Sequence, residues 1–153
     1  MSKVMKANKN KIILAILAIY GIVLLYVLFF RRIGVDYPWT YPEYLNAMHN
    51  FIPFKSVYDL FTAPVLPVSV VFRFALNFFG NILLFIPWGV LLPACFERMR
   101  FFRRFAILTL VTLIAVETIQ ILTMLGSFDV EDIMLNMAGA CIGYAIWTSR
   151  KKL

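Results

Sequence analysis

Between Arg73 and Gly143 lie two long apolar runs and most of a third, each carrying polar side chains where hydrocarbon tolerates none. The first run reads R-F-A-L-N-F-F-G-N-I-L-L-F-I-P-W-G (Arg73 to Gly89), and the second begins E-T-I-Q at Glu117 and continues to Gly143. A carboxylate or amide in lipid costs several kcal/mol unless it is paired or faces a cavity. Asn77, Asn81, Glu117, Gln120 and Asn136 are therefore expected to face one another or water, in a buried polar site.

The chain has 153 residues, of which 62% are hydrophobic. A soluble domain is nearer half apolar, so the composition reads as an integral membrane protein. A spanning helix needs roughly 20 apolar residues. Four segments qualify on that reading: residues 12–30, 74–96, 105–125 and 133–149. The expected fold is an all-α membrane protein, a single domain over 1–153, with four transmembrane helices and an extracellular loop rich in aromatics and proline.

The net charge of +7 does not point to nucleic acid, because of where the charges lie. Lys3, Lys6, Lys9 and Lys11 precede the first apolar run. Arg98, Arg100, Arg103 and Arg104 fill the link between the second and third, and Arg150, Lys151 and Lys152 follow the last. Basic residues collect on the cytoplasmic side, so both termini and the Arg-rich link are expected in the cytoplasm. The link Gly126 to Asp132, with three acids and no base, is then outside. Arg31 and Arg32 run against this orientation. The Lys-rich start followed by an apolar core resembles a secretory signal, but the core is long and L-F-F-R-R-I-G offers no small-x-small cleavage site, so it reads as an uncleaved anchor. Cys95 and Cys141 fall at different depths, too far apart for a disulfide.

The outer stretch from Arg31 to Phe72 holds Tyr37, Trp39, Tyr41 and Tyr44, aromatics that suit a membrane interface. Prolines at 38, 42, 53, 64 and 67 forbid one long helix. Ser56 to Phe61 suits a short interfacial helix or a re-entrant turn, within a loop expected as a lid on the outer surface.

Depth decides whether the polar residues meet. Asn77 and Asn81 are four apart and share a helix face. Asn81 lies ~10 Å and Glu117 ~12 Å below the outer ends of their helices, at 1.5 Å per residue. Gln120 is one turn nearer the outside. Asp129, Asp132 and Asn136 follow i, i+3, i+7 spacing, aligned if a helix begins at Asp129. All sit in the outer half of the membrane, which predicts an outward-facing pocket between the second, third and fourth spans. Asparagine and glutamine also serve as interhelical glue, at about 0.6 kcal/mol each, but glue does not require an ionisable group, and Glu117 is one. The D-x-x-D pair Asp129/Asp132 suits a magnesium site and equally a helix N-terminus, with Ser127 or Asp129 as cap. No metal or other cofactor is expected. His49 has no second His or Cys near it, which argues against zinc. G-x-x-x-G at Gly139 and Gly143 permits close helix approach.

Taken together, N-F-I-P-F (Asn50 to Phe54), N-F-F-G-N-I-L-L-F-I-P-W-G (Asn77 to Gly89), E-T-I-Q (Glu117 to Gln120) and F-D-V-E-D-I-M-L-N-M-A-G-A-C-I-G (Phe128 to Gly143) resemble the VanZ-like family of bacterial membrane proteins. The resemblance implies a four-helix protein of the Gram-positive cell envelope. The family's founding member accompanies glycopeptide-resistance operons and is associated with low-level resistance to teicoplanin, a lipid-tailed glycopeptide. Many members carry an arginine just before F-D-x-x-D. Here that position is Ser127, so a role of that arginine is either missing or passes to Arg73.

Three functional readings follow. In the first, the chain binds a lipid, a lipid-linked wall precursor or an antibiotic's acyl tail, with Arg73, Asn77, Asn81, Glu117, Gln120, Asp129, Asp132 and Asn136 as the ligand-binding set. The second is a membrane-embedded enzyme acting on a lipid or wall precursor, with Glu117 as its catalytic acid or base. The third is a structural partner in a membrane complex. The first is preferred, because no nucleophile accompanies Glu117.

Overall fold

The computed structural model describes residues 3–30 and 38–150. Arg31, Arg32 and Tyr37, and the closing Lys151 and Lys152, lie outside the described residues. Four long helices carry the chain: α1 (Lys3–Leu28), α4 (Val68–Cys95), α5 (Phe102–Leu122) and α6 (Val130–Arg150). Between α1 and α4 come α2 (Tyr41–Ala47), the two-residue strand β1 (His49–Asn50) and α3 (Lys55–Thr62). A 3-10 turn over Glu97–Arg100 joins α4 to α5, and β2 (Phe128–Asp129) leads into α6.

Three of these helices are long and apolar enough to cross a membrane: Asn10–Leu28 within α1, α4 and α5. Helix α6 matches α5 in length at 21 residues, but Glu131, Asp132 and Asn136 in its first two turns make it less apolar, so the expected count of four is reduced to three by this measure. The side chains facing outward are apolar: Ile22 is 69% exposed, Leu83 63% and Val111 59%. The buried set contains Thr109, Glu117, Gln120, Glu131 and Asn136. An apolar exterior around a partly polar interior is what a hydrocarbon solvent demands of a helical protein.

The packing follows from small residues. Helices α4 and α6 lie so close that a Cβ placed on Gly139 would stand 2.1 Å from the Ile82 carbonyl oxygen, and one on Gly143 would stand 2.0 Å from that of Ile86. Gly89 makes the reciprocal approach from α4, its Cβ position falling 2.0 Å from the Ala140 carbonyl oxygen. The expected G-x-x-x-G contact is thus present, with α4 as the partner. Single hydrogen bonds tie the other helices. The Tyr20 hydroxyl donates to the Leu84 carbonyl (2.8 Å), joining α1 to α4. Trp88 Nε1 donates to Thr109 Oγ1 (3.1 Å), joining α4 to α5. At the arginine-rich end the Tyr144 hydroxyl donates to the Arg100 carbonyl (2.5 Å), beside Phe102 and Phe105.

Several boundaries differ from the sequence expectation. Helix α4 begins at Val68, not Phe74, because Pro67 takes the N-cap with φ −60° and Arg73, read as a boundary, is accommodated within the helix. Helix α2 is an element the sequence reading does not name: the prolines rule out one long helix, and Pro42 sits in the first turn of a short one. At the start of a helix proline is tolerated, and the Glu43 carboxylate accepts both the backbone N–H and the hydroxyl of Thr40 (2.8 and 2.7 Å). Those hydrogen bonds hold the Glu43 pKa below its ordinary value. Of the two forms that suit Ser56–Phe61, the short helix is present, as α3. Both cysteines are free thiols.

Candidate functional site

The end of α5 sets the geometry of the site. Met124 takes a left-handed φ of 56°. The Leu125 N–H donates to the Gln120 carbonyl (2.9 Å) and the Met124 N–H to the Ile121 carbonyl (3.3 Å). This pattern closes a helix C-terminus by satisfying its last carbonyls. The chain then reverses within a few residues, and α6 starts beside α5. The reversal is fastened from the outer loop. The Tyr44 side chain, fully buried, donates to the Gly126 carbonyl. Strands β1 and β2 pair in parallel, His49 with Phe128 and Asn50 with Asp129, and the Phe128 N–H donates to the Met48 carbonyl (3.0 Å). The loop expected as a lid therefore docks on the α5–α6 turn.

Glu117 lies on α5, 3% exposed. Its carboxylate accepts the Asp129 backbone N–H at 3.1 Å, so it also holds the start of α6 in place. Asp129 is the residue before the first helical position. Its Oδ1 accepts the Glu131 N–H (2.8 Å) and the Asn50 side-chain amide (3.1 Å). Of the two caps considered from sequence, Asp129 takes the role, and the capping geometry satisfies an otherwise orphaned helix N–H. Glu131, buried to 3% exposure, accepts the Ser56 backbone N–H (3.1 Å) and so positions α3.

Asp132, one turn into α6, faces α4. Its Oδ1 accepts from Asn81 Nδ2 at 2.6 Å and from Asn77 Nδ2 at 3.0 Å. The two asparagines meet each other at 3.5 Å. Gln120 donates from Nε2 to the Leu28 carbonyl (2.9 Å), satisfying one of the last carbonyls of α1. Asn136 is 3% exposed, and its Oδ1 has no hydrogen-bond partner among the described residues.

These side chains surround a cavity of about 440 Å³, whose polar wall is Arg73, Asn77, Asn81, Glu117, Gln120, Asp132 and Asn136. Val27, Leu28, Leu76, Gly80 and Leu84 complete it. Seven of the eight ligand-binding residues read from the sequence thus line one space. Asp129 does not: its side chain is committed to the helix cap and to Asn50. The expected pocket between three spans also gains a fourth wall from α1. Sequence reading missed Glu131, Asn50 and Tyr44, whose partners lie 75 to 82 residues away. The T-x-x-E signature at Thr40–Glu43 was the available signal for the helix that carries Tyr44.

A second cavity, of about 530 Å³, adjoins the first and shares Arg73 and Asn77 with it. Its wall is mostly aliphatic and aromatic, from α3, the segment 63–67 and the first turns of α4. No group of three or more His, Cys, Asp or Glu suited to a metal occurs among the described residues.

Chemically, the polar cavity offers a guanidinium, two carboxyls and several amides around one space. It suits recognition of a polar head by several hydrogen bonds at once. Comparison with known proteins identifies the family. A profile of the VanZ/LLP1 family matches residues 17–151. Protein VanZ of Enterococcus faecium is 33% identical over 67 residues, covering 44% of this chain and 41% of that protein. The aligned stretch thus spans less than half of that relative. No solved structure matches. The family match takes in every residue of the polar wall, and the chain belongs to the VanZ/LLP1 family.

Proposed function

We propose that this protein is a multi-pass protein of the bacterial plasma membrane that binds an amphipathic ligand in its polar cavity. The ligand classes are a lipid, a lipid-linked wall precursor, or the acyl tail of a glycopeptide such as teicoplanin. The observation that carries the reading is the convergence of Asn77, Asn81, Glu117, Gln120, Asp132 and Asn136 on one 440 Å³ cavity. An acceptor on Asn136 is buried there without a donor among the described residues. Buried polar atoms are normally hydrogen-bonded, and an exception needs a reason. A ligand's donor supplies one. The teicoplanin association comes from the family resemblance and is carried over to this chain as part of the proposal.

In this reading α6 joins α1, α4 and α5 as a fourth span, with its acidic first turn buried against α4 and α5 rather than in lipid. Both termini and the arginine-rich 3-10 turn lie in the cytoplasm, following the positive-inside rule. The docked loop and both cavities lie at the outer face.

A second reading rests on one observation: Glu117 and Asp132, two carboxyls, border the same cavity. Such a pair suits proton transfer on a bound lipid or wall precursor. The two readings part at Glu117→Gln, which keeps an oxygen to accept the Asp129 N–H but cannot exchange a proton. The test is teicoplanin and vancomycin susceptibility of a sensitive Gram-positive host expressing wild type or Glu117→Gln at matched membrane levels. Binding expects wild-type protection against teicoplanin and not vancomycin, with Glu117→Gln keeping much of it. Complete loss in a well-inserted Glu117→Gln would favour the acid-base reading instead.

A further inference from the structure

The two cavities share a wall, and the residue in that wall with the strongest chemistry is Arg73. It lies on α4, exposed, and borders both spaces. Among the described residues no ion pair and no hydrogen bond holds its guanidinium. Arginine is the side chain best suited to phosphate, which it grips through paired N–H donors. The acids bordering the larger cavity are already engaged. Asp59 pairs with Lys55 at 2.5 Å, and Glu131 accepts the Ser56 N–H. What remains of that wall is hydrocarbon, including Leu60, Val65, Leu66, Val70, Phe74 and Phe78.

We infer that the two cavities are one bipartite site for a lipid phosphate. The chain lies in the 530 Å³ apolar cavity, the phosphate on Arg73, and the polar remainder of the head in the 440 Å³ cavity. Each space falls within the usual range for small-molecule sites. The order of the three parts along the wall matches the order of chain, anion and head in such a lipid. Asn77, on the wall of both cavities, adds an amide next to the phosphate position. This deepens the binding reading above and rests on it.

The test is equilibrium binding by the full chain in nonionic detergent micelles, with four probes. Farnesyl phosphate carries one chain and a phosphate. Dioleoyl phosphatidic acid carries two chains. Inorganic phosphate has no chain, and farnesol has no phosphate. The expected result is that at least one chain-bearing phosphate binds roughly tenfold or more tightly than either fragment. Which of the two binds distinguishes a polyprenyl source from a glycerolipid one. Arg73→Ala should weaken that binding roughly tenfold or more, the scale of a charged hydrogen bond, and Arg73→Lys should recover part of it. Val70→Trp, which narrows the apolar cavity, should weaken it as well. Arg73 and Val70 are exposed, and an unchanged melting temperature of each variant separates lost binding from lost fold. Equal binding by Arg73→Ala and wild type, farnesol binding as tightly as its phosphate, or no binding of any probe would each overturn the inference. Teicoplanin protection without Arg73-dependent lipid-phosphate binding would remove this inference and leave the broader binding reading standing. Arg73-dependent binding without protection would keep this inference and the lipid-binding reading, and remove only the teicoplanin association.

Discussion

Asn136 is the residue at which stability and function are most clearly separated. A buried acceptor without a donor costs about 1–3 kcal/mol, and Asn136 Oδ1 is such an acceptor. Asn136→Leu replaces the amide by an apolar group of similar size. Thermal unfolding in micelles should show unchanged or raised stability, while teicoplanin protection falls. A large loss of stability would mean that Asn136 holds the helices together and that no ligand is needed to explain it. Glu117 and Asp132 have a different character, because each already serves the fold: one fixes the start of α6 and the other draws in Asn77 and Asn81. The sequence made the polar wall legible for a simple reason: lipid tolerates isolated amides and carboxyls so poorly that each one announces a buried role. Glu131 escaped notice because it sits in an acidic first turn, where the helix dipole alone accounts for a carboxylate. Its bond to Ser56 closes a gap of 75 residues, and no local pattern encodes that.

The α4–α6 seam dominates at the scale of elements. Backbone oxygens stand where Cβ atoms would go at Gly89, Gly139 and Gly143, so a methyl group there must push two helices apart. Gly139→Ala should destabilise the protein by about 1–3 kcal/mol or more, read as a lower melting temperature and a lower membrane level. Gly21→Ala on α1 meets nothing within 4 Å and should be neutral or slightly stabilising, since alanine is the better helix former. Equal behaviour of the two variants would contradict the seam. The long helices were readable from hydropathy, and the close contact from G-x-x-x-G. Helix onsets were less readable. The charge-free span 74–96 starts after Arg73, yet α4 begins at Val68 and carries that charge beside the cavities, while Pro42 occupies a first turn where it does no harm. The β1–β2 pairing was hidden altogether, because two residues on each side give no alternation to detect.

For the whole molecule, the docked loop, the polar cavity and the acidic turn lie at one end of the helices, and the arginine-rich turn with the end of α6 at the other. This polarity agrees with the charge pattern and leads to a labelling experiment in a Cys95→Ala, Cys141→Ala background. Thr62→Cys, exposed on α3, should react with an impermeant maleimide in intact cells. Arg150→Cys should react only after permeabilisation. The opposite pattern would invert the proposed orientation and place the cavities inside. The orientation rests on charge counting alone, and the participation of α1 in the cavity did not follow from its sequence, since its contribution is the backbone carbonyl of Leu28 and not a polar side chain. The cavity itself is tested most directly by filling it. Gly80 lines the polar cavity, and a Cβ there meets nothing within 4 Å, so Gly80→Trp introduces bulk into the space without forcing the backbone. Teicoplanin susceptibility, compared at matched membrane levels, should show protection by wild type and its loss in Gly80→Trp. Protection by Gly80→Trp equal to that of wild type would contradict the cavity as the working site, and no protection by wild type would remove teicoplanin from the account.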